Sequence, residues 1–72
     1  MIDVLVFKTN VFSEERLVEV APYLNSTKGI VRWNFDLDDI DKVLRIEAAD
    51  LTPNDIKNTL KYAGFYCEEL PG

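Results

Sequence analysis

The stretch GIVRWNFDLDDIDKVLRIEA, residues 29–48, decides the fold. From Ile30 to Leu37 the side chains alternate: Val31, Trp33, Phe35 and Leu37 point one way, and Arg32, Asn34 and Asp36 the other. A period of two with one apolar face is the pattern of a half-buried strand. Asp38-Asp39 marks a turn, and Lys42 to Ala48 returns with Leu44 and Ile46 inward and Arg45 and Glu47 outward. Two such runs joined by a short polar turn read as a hairpin.

Each side of the hairpin carries a helix and a further strand. Ahead of it, Ile2 to Phe7 is rich in β-branched and aromatic residues on both faces, Ile2, Val4 and Val6 on one and Leu5 and Phe7 on the other, which suits a central strand. Ser13 is placed to cap a helix whose first turn holds Glu14 and Glu15, where the helix dipole favours negative charge. Leu17, Val18, Val20, Ala21 and Leu24 recur at helical spacing, with Glu14, Arg16 and Glu19 outward. Pro22 removes a hydrogen bond to the Val18 carbonyl, so the helix is expected to loosen there and stop by Asn25. Asn25 to Gly29 is the connecting turn. Behind the hairpin, Thr52 is an N-cap, Pro53 fits the first helical position and Asp55 sits three residues after the cap. Ile56, Leu60 and Ala63 form the buried stripe, Gly64 ends the helix, and Phe65 to Leu70 forms a last strand stopped by Pro71.

The order is β-α-β-β-α-β. Right-handed crossovers and short connections then give an α+β ferredoxin-like plait: a four-stranded antiparallel sheet with both helices on one face, built as a single domain over residues 1–72. The other face is left open. It is expected to carry Leu5, Phe7 and Val43 among Arg32, Asn34, Arg45 and Glu47, and an apolar set of that kind is a candidate interface for self-association or a protein partner.

Composition narrows the function. The 72 residues are 47% hydrophobic, which is globular, and the net charge of −5 argues against nucleic acid, since phosphate backbones need clustered Lys and Arg. The apolar start is interrupted by Asp3 and lacks a basic leader, and no run approaches the roughly 18 apolar residues of a membrane span. No membrane insertion is expected. A lone cysteine, Cys67, cannot form an internal disulfide and fits a reducing compartment, so the cytoplasm is the expected location.

The chain resembles the heavy-metal-associated domain, the family of small copper chaperones and metal-ATPase modules. Leu17, Val20-Ala21 and Leu24 match the family's first helix. Gly29-Ile30 with Trp33 and Phe35 matches its second strand, Leu44 and Ile46 its third, and Ile56, Leu60 and Gly64-Phe65 its close. The family's M-x-C-x-x-C loop, which holds the metal, is missing. Counting back from Leu17 puts Lys8 at the methionine, Asn10 at the first cysteine and Ser13 at the second; counting from the first strand puts Phe7, Thr9 and Phe12 there instead. Neither register supplies sulfur. Cu(I) selects thiolate and thioether, Zn(II) wants Cys, His or carboxylate, and the chain has no histidine. The resemblance therefore implies the scaffold with no metal and no cofactor. The loop residues Lys8, Thr9, Asn10, Phe12 and Ser13, with Phe65 beside them, become a candidate protein-binding site.

The remaining chemistry is sparse. Asp36, Asp38, Asp39 and Asp41 invite a divalent cation, but the EF-hand spacing fails, because Ile40 takes a ligand position and no glutamate closes the loop. No nucleophile has an identifiable base, so no catalytic residue is assigned and the chain is read as no enzyme. Two alternatives stay open: a metal-handling protein with non-standard ligands, such as Cys67 shared across a dimer, and a ligand-sensing plait like the ACT domain, which has the same strand order.

Overall fold

In the computed structural model, which describes residues 1–71, the elements run β1 (Ile2–Thr9), α1 (Glu14–Asn25), β2 (Ile30–Asp36), β3 (Val43–Ala49), α2 (Pro53–Tyr62) and β4 (Cys67–Glu69). The four strands form one antiparallel sheet in the order β2-β3-β1-β4. This is the plait that the sequence predicts.

The register fixes which side of the sheet is core. Leu5 and Phe7 of β1 stand opposite Ile46 and Leu44 of β3, which in turn oppose Trp33 and Phe35 of β2. Phe7, Leu44, Ile46 and Ala48 pack in one cluster with Val20 and Leu24 of α1 and Ile56 and Leu60 of α2. Both helices therefore cover the same face.

This corrects the expected open face. Phe7 is wholly buried and Leu5 packs against the core, so neither is available as an interface. Val43 lies on the opposite side from Leu44 but is covered to 5% exposure, so it also presents no surface. The strand has two apolar faces, and pairing with β3 turns Leu5 and Phe7 inward while Ile2 and Val4 are left exposed, Val4 at 65%. The hairpin differs in one place as well. A bulge between Ile30 and Arg32 shifts the alternation, so Ile30 rather than Val31 packs against the core and Val31 is exposed.

The helix ends follow local chemistry. Ser13 Oγ accepts the Arg16 N–H, and α1 continues past Pro22 to stop at Asn25. Pro22 is exposed, so the Val18 carbonyl that lacks a helical donor is next to solvent. Its own carbonyl accepts Ser26 N–H at 3.0 Å and Ser26 Oγ at 2.6 Å. At α2 the capping box is complete: Asp55 N–H donates to Thr52 Oγ1 and Thr52 N–H to Asp55 Oδ2. The C-terminus of α2 is a Schellman turn, with Gly64 at φ +93°, Phe65 N–H bonded to the Leu60 carbonyl at 2.8 Å and Gly64 N–H to the Lys61 carbonyl at 3.0 Å. That turn swings the chain off the helix and delivers Phe65, Tyr66 and Cys67 beside the β1–α1 loop.

Candidate functional site

The β1–α1 loop is tied to three different elements. Thr9, the last residue of β1, is nearly buried. Its backbone N–H donates to the Asp41 carbonyl at 3.0 Å and its Oγ1 to the Lys42 carbonyl at 2.6 Å, while Oγ1 accepts the Val11 N–H. This fastens the loop to the β2–β3 hairpin. Asn10 fastens it to the turn after α2: its N–H donates to the Tyr66 carbonyl at 3.2 Å, and its Oδ1 accepts the Tyr66 N–H at 2.8 Å. Ser13 fastens it to α1 as the cap.

Thr9 pairs with Cys67 inside the sheet, so the loop proper begins at Asn10 and ends at the Ser13 cap. Within it the side-chain oxygens of Asn10 and Ser13 both hold backbone N–H groups. Each satisfies a donor that the fold would otherwise leave without a protein partner.

The other expected site residues divide. Phe12 is 68% exposed at the loop tip, and with Asn10 and Phe65 it lines a shallow groove that also touches Arg16, Glu19, Ala63 and Gly64. Phe65 is half-buried against the core. Lys8 does not join them. It is exposed on the strand, opposite Glu68 of β4. Sequence reasoning missed Val11, which is fully buried and anchors the loop from below. It also missed Tyr66, whose contact with Asn10 spans 56 residues. Tyr66 Oη donates to Glu68 Oε2 at 2.8 Å, and that bond, with burial and the Glu68 charge behind it, raises the phenol pKa.

Cys67 is 4% exposed, and burial pushes its thiol up to about 11 against a smaller opposing pull from the Lys57 charge. A thiol protonated and covered in this way is a poor nucleophile and a poor ligand at neutral pH. At the hairpin, Asp36 Oδ1 accepts the Asp38 N–H and Asp39 Oδ1 the Asp41 N–H, so two of the four carboxylates hold the turn. Among the described residues no group of three or more His, Cys, Asp or Glu side chains is placed to hold a metal ion.

The geometry has close matches among solved structures. Oxidized MerP from Ralstonia metallidurans superposes with a TM-score of 0.85 at 7% identity, over 99% of this chain and 100% of that one. The fold is that of the heavy-metal-associated domain. The HMA domain of a copper chaperone for superoxide dismutase, in its apo form, gives 0.82 at 14% identity over 99% of this chain and 69% of that one. A yeast copper transporter domain, solved in apo and Cu(I)-loaded states, gives 0.77 at 17% identity over 94% of each chain. No family profile matches the sequence, and no curated protein does. At such identities the likeness is one of backbone, and it carries no ligand residue across.

Proposed function

We propose that this HMA-fold protein works in metal handling as a non-catalytic docking module, contacting a protein through the β1–α1 loop without holding a thiophilic ion there. The setting is supported by the structures it matches, whose names concern copper and other metal traffic. The single observation that carries the docking role is the commitment of Asn10 and Ser13: at the family's ligand places, their oxygens hold Tyr66 N–H and the first turn of α1. Neutral hard oxygens already engaged in this way are no competitor for Cu(I). Phe12 at the exposed tip is the natural anchor, since a projecting aromatic ring gives much contact area at little entropic loss. The partner is another protein or a second copy of this chain. Among the described residues no helix is long and apolar enough to cross a membrane.

A second reading draws on the same comparisons and fits them more directly: the protein itself carries a metal, with Cys67 shared across a dimer. It requires β4 to open, because the thiol is covered. A Cu(I) competition titration with elemental analysis of the purified protein separates the two. The docking role predicts no stoichiometric uptake in competition with a Cu(I) chelator. Tight uptake that vanishes in Cys67→Ser would establish the second reading.

A further inference from the structure

A cleft of about 550 Å3 lies between α2 and β4 and extends to Asn10 of the loop. Four of its lining residues, Asn54, Lys57, Asn58 and Lys61, fall at i, i+3, i+4 and i+7 of α2, so they form one polar stripe beside the buried Ile56 and Leu60. The floor is different. Gly64, Phe65, Tyr66 and Cys67 present an aromatic and apolar surface, set there by the Schellman turn and the Asn10–Tyr66 contact.

The charge in this cleft runs against the rest of the chain. The protein has 13 acidic and 8 basic residues, yet two of the eight line the cleft and none of the thirteen does. Three carboxylates on the flanking elements stand outside the lining: Asp55, which closes the capping box, Glu68, which accepts from Tyr66, and Glu69. Among the described residues the ion pairs are Arg16–Glu19 and Arg32–Glu47, so Lys57 and Lys61 have no carboxylate partner. Asn10 uses its Oδ1 on Tyr66, which leaves its amide N–H2 to donate. The lining is thus rich in free donors over a flat apolar floor.

We propose that this cleft binds a small anion that carries a planar apolar body, the anionic group between Lys57 and Lys61 and the plane against Phe65. The volume is within the usual range for small-molecule sites, roughly 300–1,000 Å3, and the mix of apolar floor and few polar groups is typical of them. The cleft shares Asn10, Gly64 and Phe65 with the groove beside Phe12, but ligand binding there does not depend on the docking role.

Amide chemical-shift titrations of the whole protein test this with three probes: AMP, which has both features, adenosine, which has only the plane, and inorganic phosphate, which has only the charge. AMP is expected to give saturable shifts at Lys57, Asn58, Lys61, Phe65, Tyr66 and Cys67, with adenosine and phosphate each binding about tenfold more weakly or worse. Lys57→Gln with Lys61→Gln, exposed changes that leave the dispersed spectrum intact, should weaken AMP about fivefold or more. Absence of saturable shifts, shifts outside the cleft, phosphate binding as well as AMP, or an unchanged affinity in the double variant would each overturn the proposal. So would saturable binding of an acidic peptide at this cleft with none of AMP, which would make the surface a protein interface.

Discussion

Placing two sulfurs in the loop is its most direct probe. The double substitution Asn10→Cys with Ser13→Cys removes two hydrogen-bond acceptors and supplies two sulfurs. The Asn10 Oδ1 to Tyr66 N bond is 2.8 Å long at a partly exposed position, so its loss should destabilise by about 1 kcal/mol, since water replaces part of it. The Ser13 cap is longer, 3.3 Å, and its loss should cost about 0.5–1 kcal/mol. The two bonds have different partners, Tyr66 and Arg16, so the costs should add to about 1.5–2 kcal/mol. For a domain this small each kcal/mol is about 4–8 °C of melting temperature, so the reduced, metal-free variant should melt about 6–16 °C below the parent.

Cu(I) should then reverse the loss. A ligand at a hundred times its dissociation constant stabilises by about 2.7 kcal/mol, enough to return the variant to the parent's range or above. Thermal melts under reductant, with and without chelator-buffered Cu(I), measure both effects, and Asn10→Asp is the control because it keeps an acceptor at Oδ1. A metal-free double variant within about 0.5 kcal/mol of the parent would refute the structural role assigned to the two oxygens. A destabilised variant that Cu(I) does not rescue would refute the idea that ligand identity alone separates this loop from a metal site.

Three further measurements examine the fold around the site. Phe7→Ala should lose about 3–5 kcal/mol in urea unfolding, whereas Val4→Ser should stay within about 0.5 kcal/mol; similar values for the two would reverse the face assignment of β1. Gly29→Ala should destabilise more than Gly64→Ala, although both sites have positive φ. A Cβ at Gly29 would lie 2.8 Å from the Ala49 carbonyl oxygen and 2.9 Å from Leu51 Cγ, while at Gly64 it meets open space and only the backbone preference of about 1–2 kcal/mol remains. Cys67 should resist thiol reagents in the folded protein at neutral pH. Its pKa is raised on folding, so the stability it contributes is whole below its ordinary 9.0 and is lost as pH rises through about 11; urea titrations between those values should show a fall that Cys67→Ala lacks.

The elements that the sequence made legible are those whose signals are local. The capping box of α2, the glycine after it and the alternation of β3 each act within a few residues, and the structure has them where the pattern places them. The sense of β1 was not legible. Ile2, Val4 and Val6 are as apolar as Leu5 and Phe7, so alternation gives two faces without saying which is inside; the choice is made by pairing with Ile46 and Leu44, some forty residues away. Val31 was misplaced for a related reason, because the bulge between Ile30 and Arg32 changes the parity of the strand and alternation alone does not show it. At the loop, the absence of sulfur could be read directly. What Asn10 does instead could not, because its partner Tyr66 reaches it only once β4 has docked beside β1.

The same long-range contacts bear on how protein groups alone hold the loop. A loop that closes on a metal uses the ion as its cross-link, and metal-binding free energy is then part of what orders it. Here the cross-links are internal: Thr9 to the hairpin at Lys42, Asn10 to the turn at Tyr66, and Ser13 to the first turn of α1, with Val11 buried beneath. Each tie is modest in energy, but they draw on three separate elements, so the loop cannot shift toward one without straining another. A loop held in this way presents Phe12 and Phe65 in a fixed arrangement, which lowers the entropy lost on meeting a partner. In the proposed docking role, the oxygens of Thr9, Asn10 and Ser13 that hold the loop are therefore also what preorganises its surface.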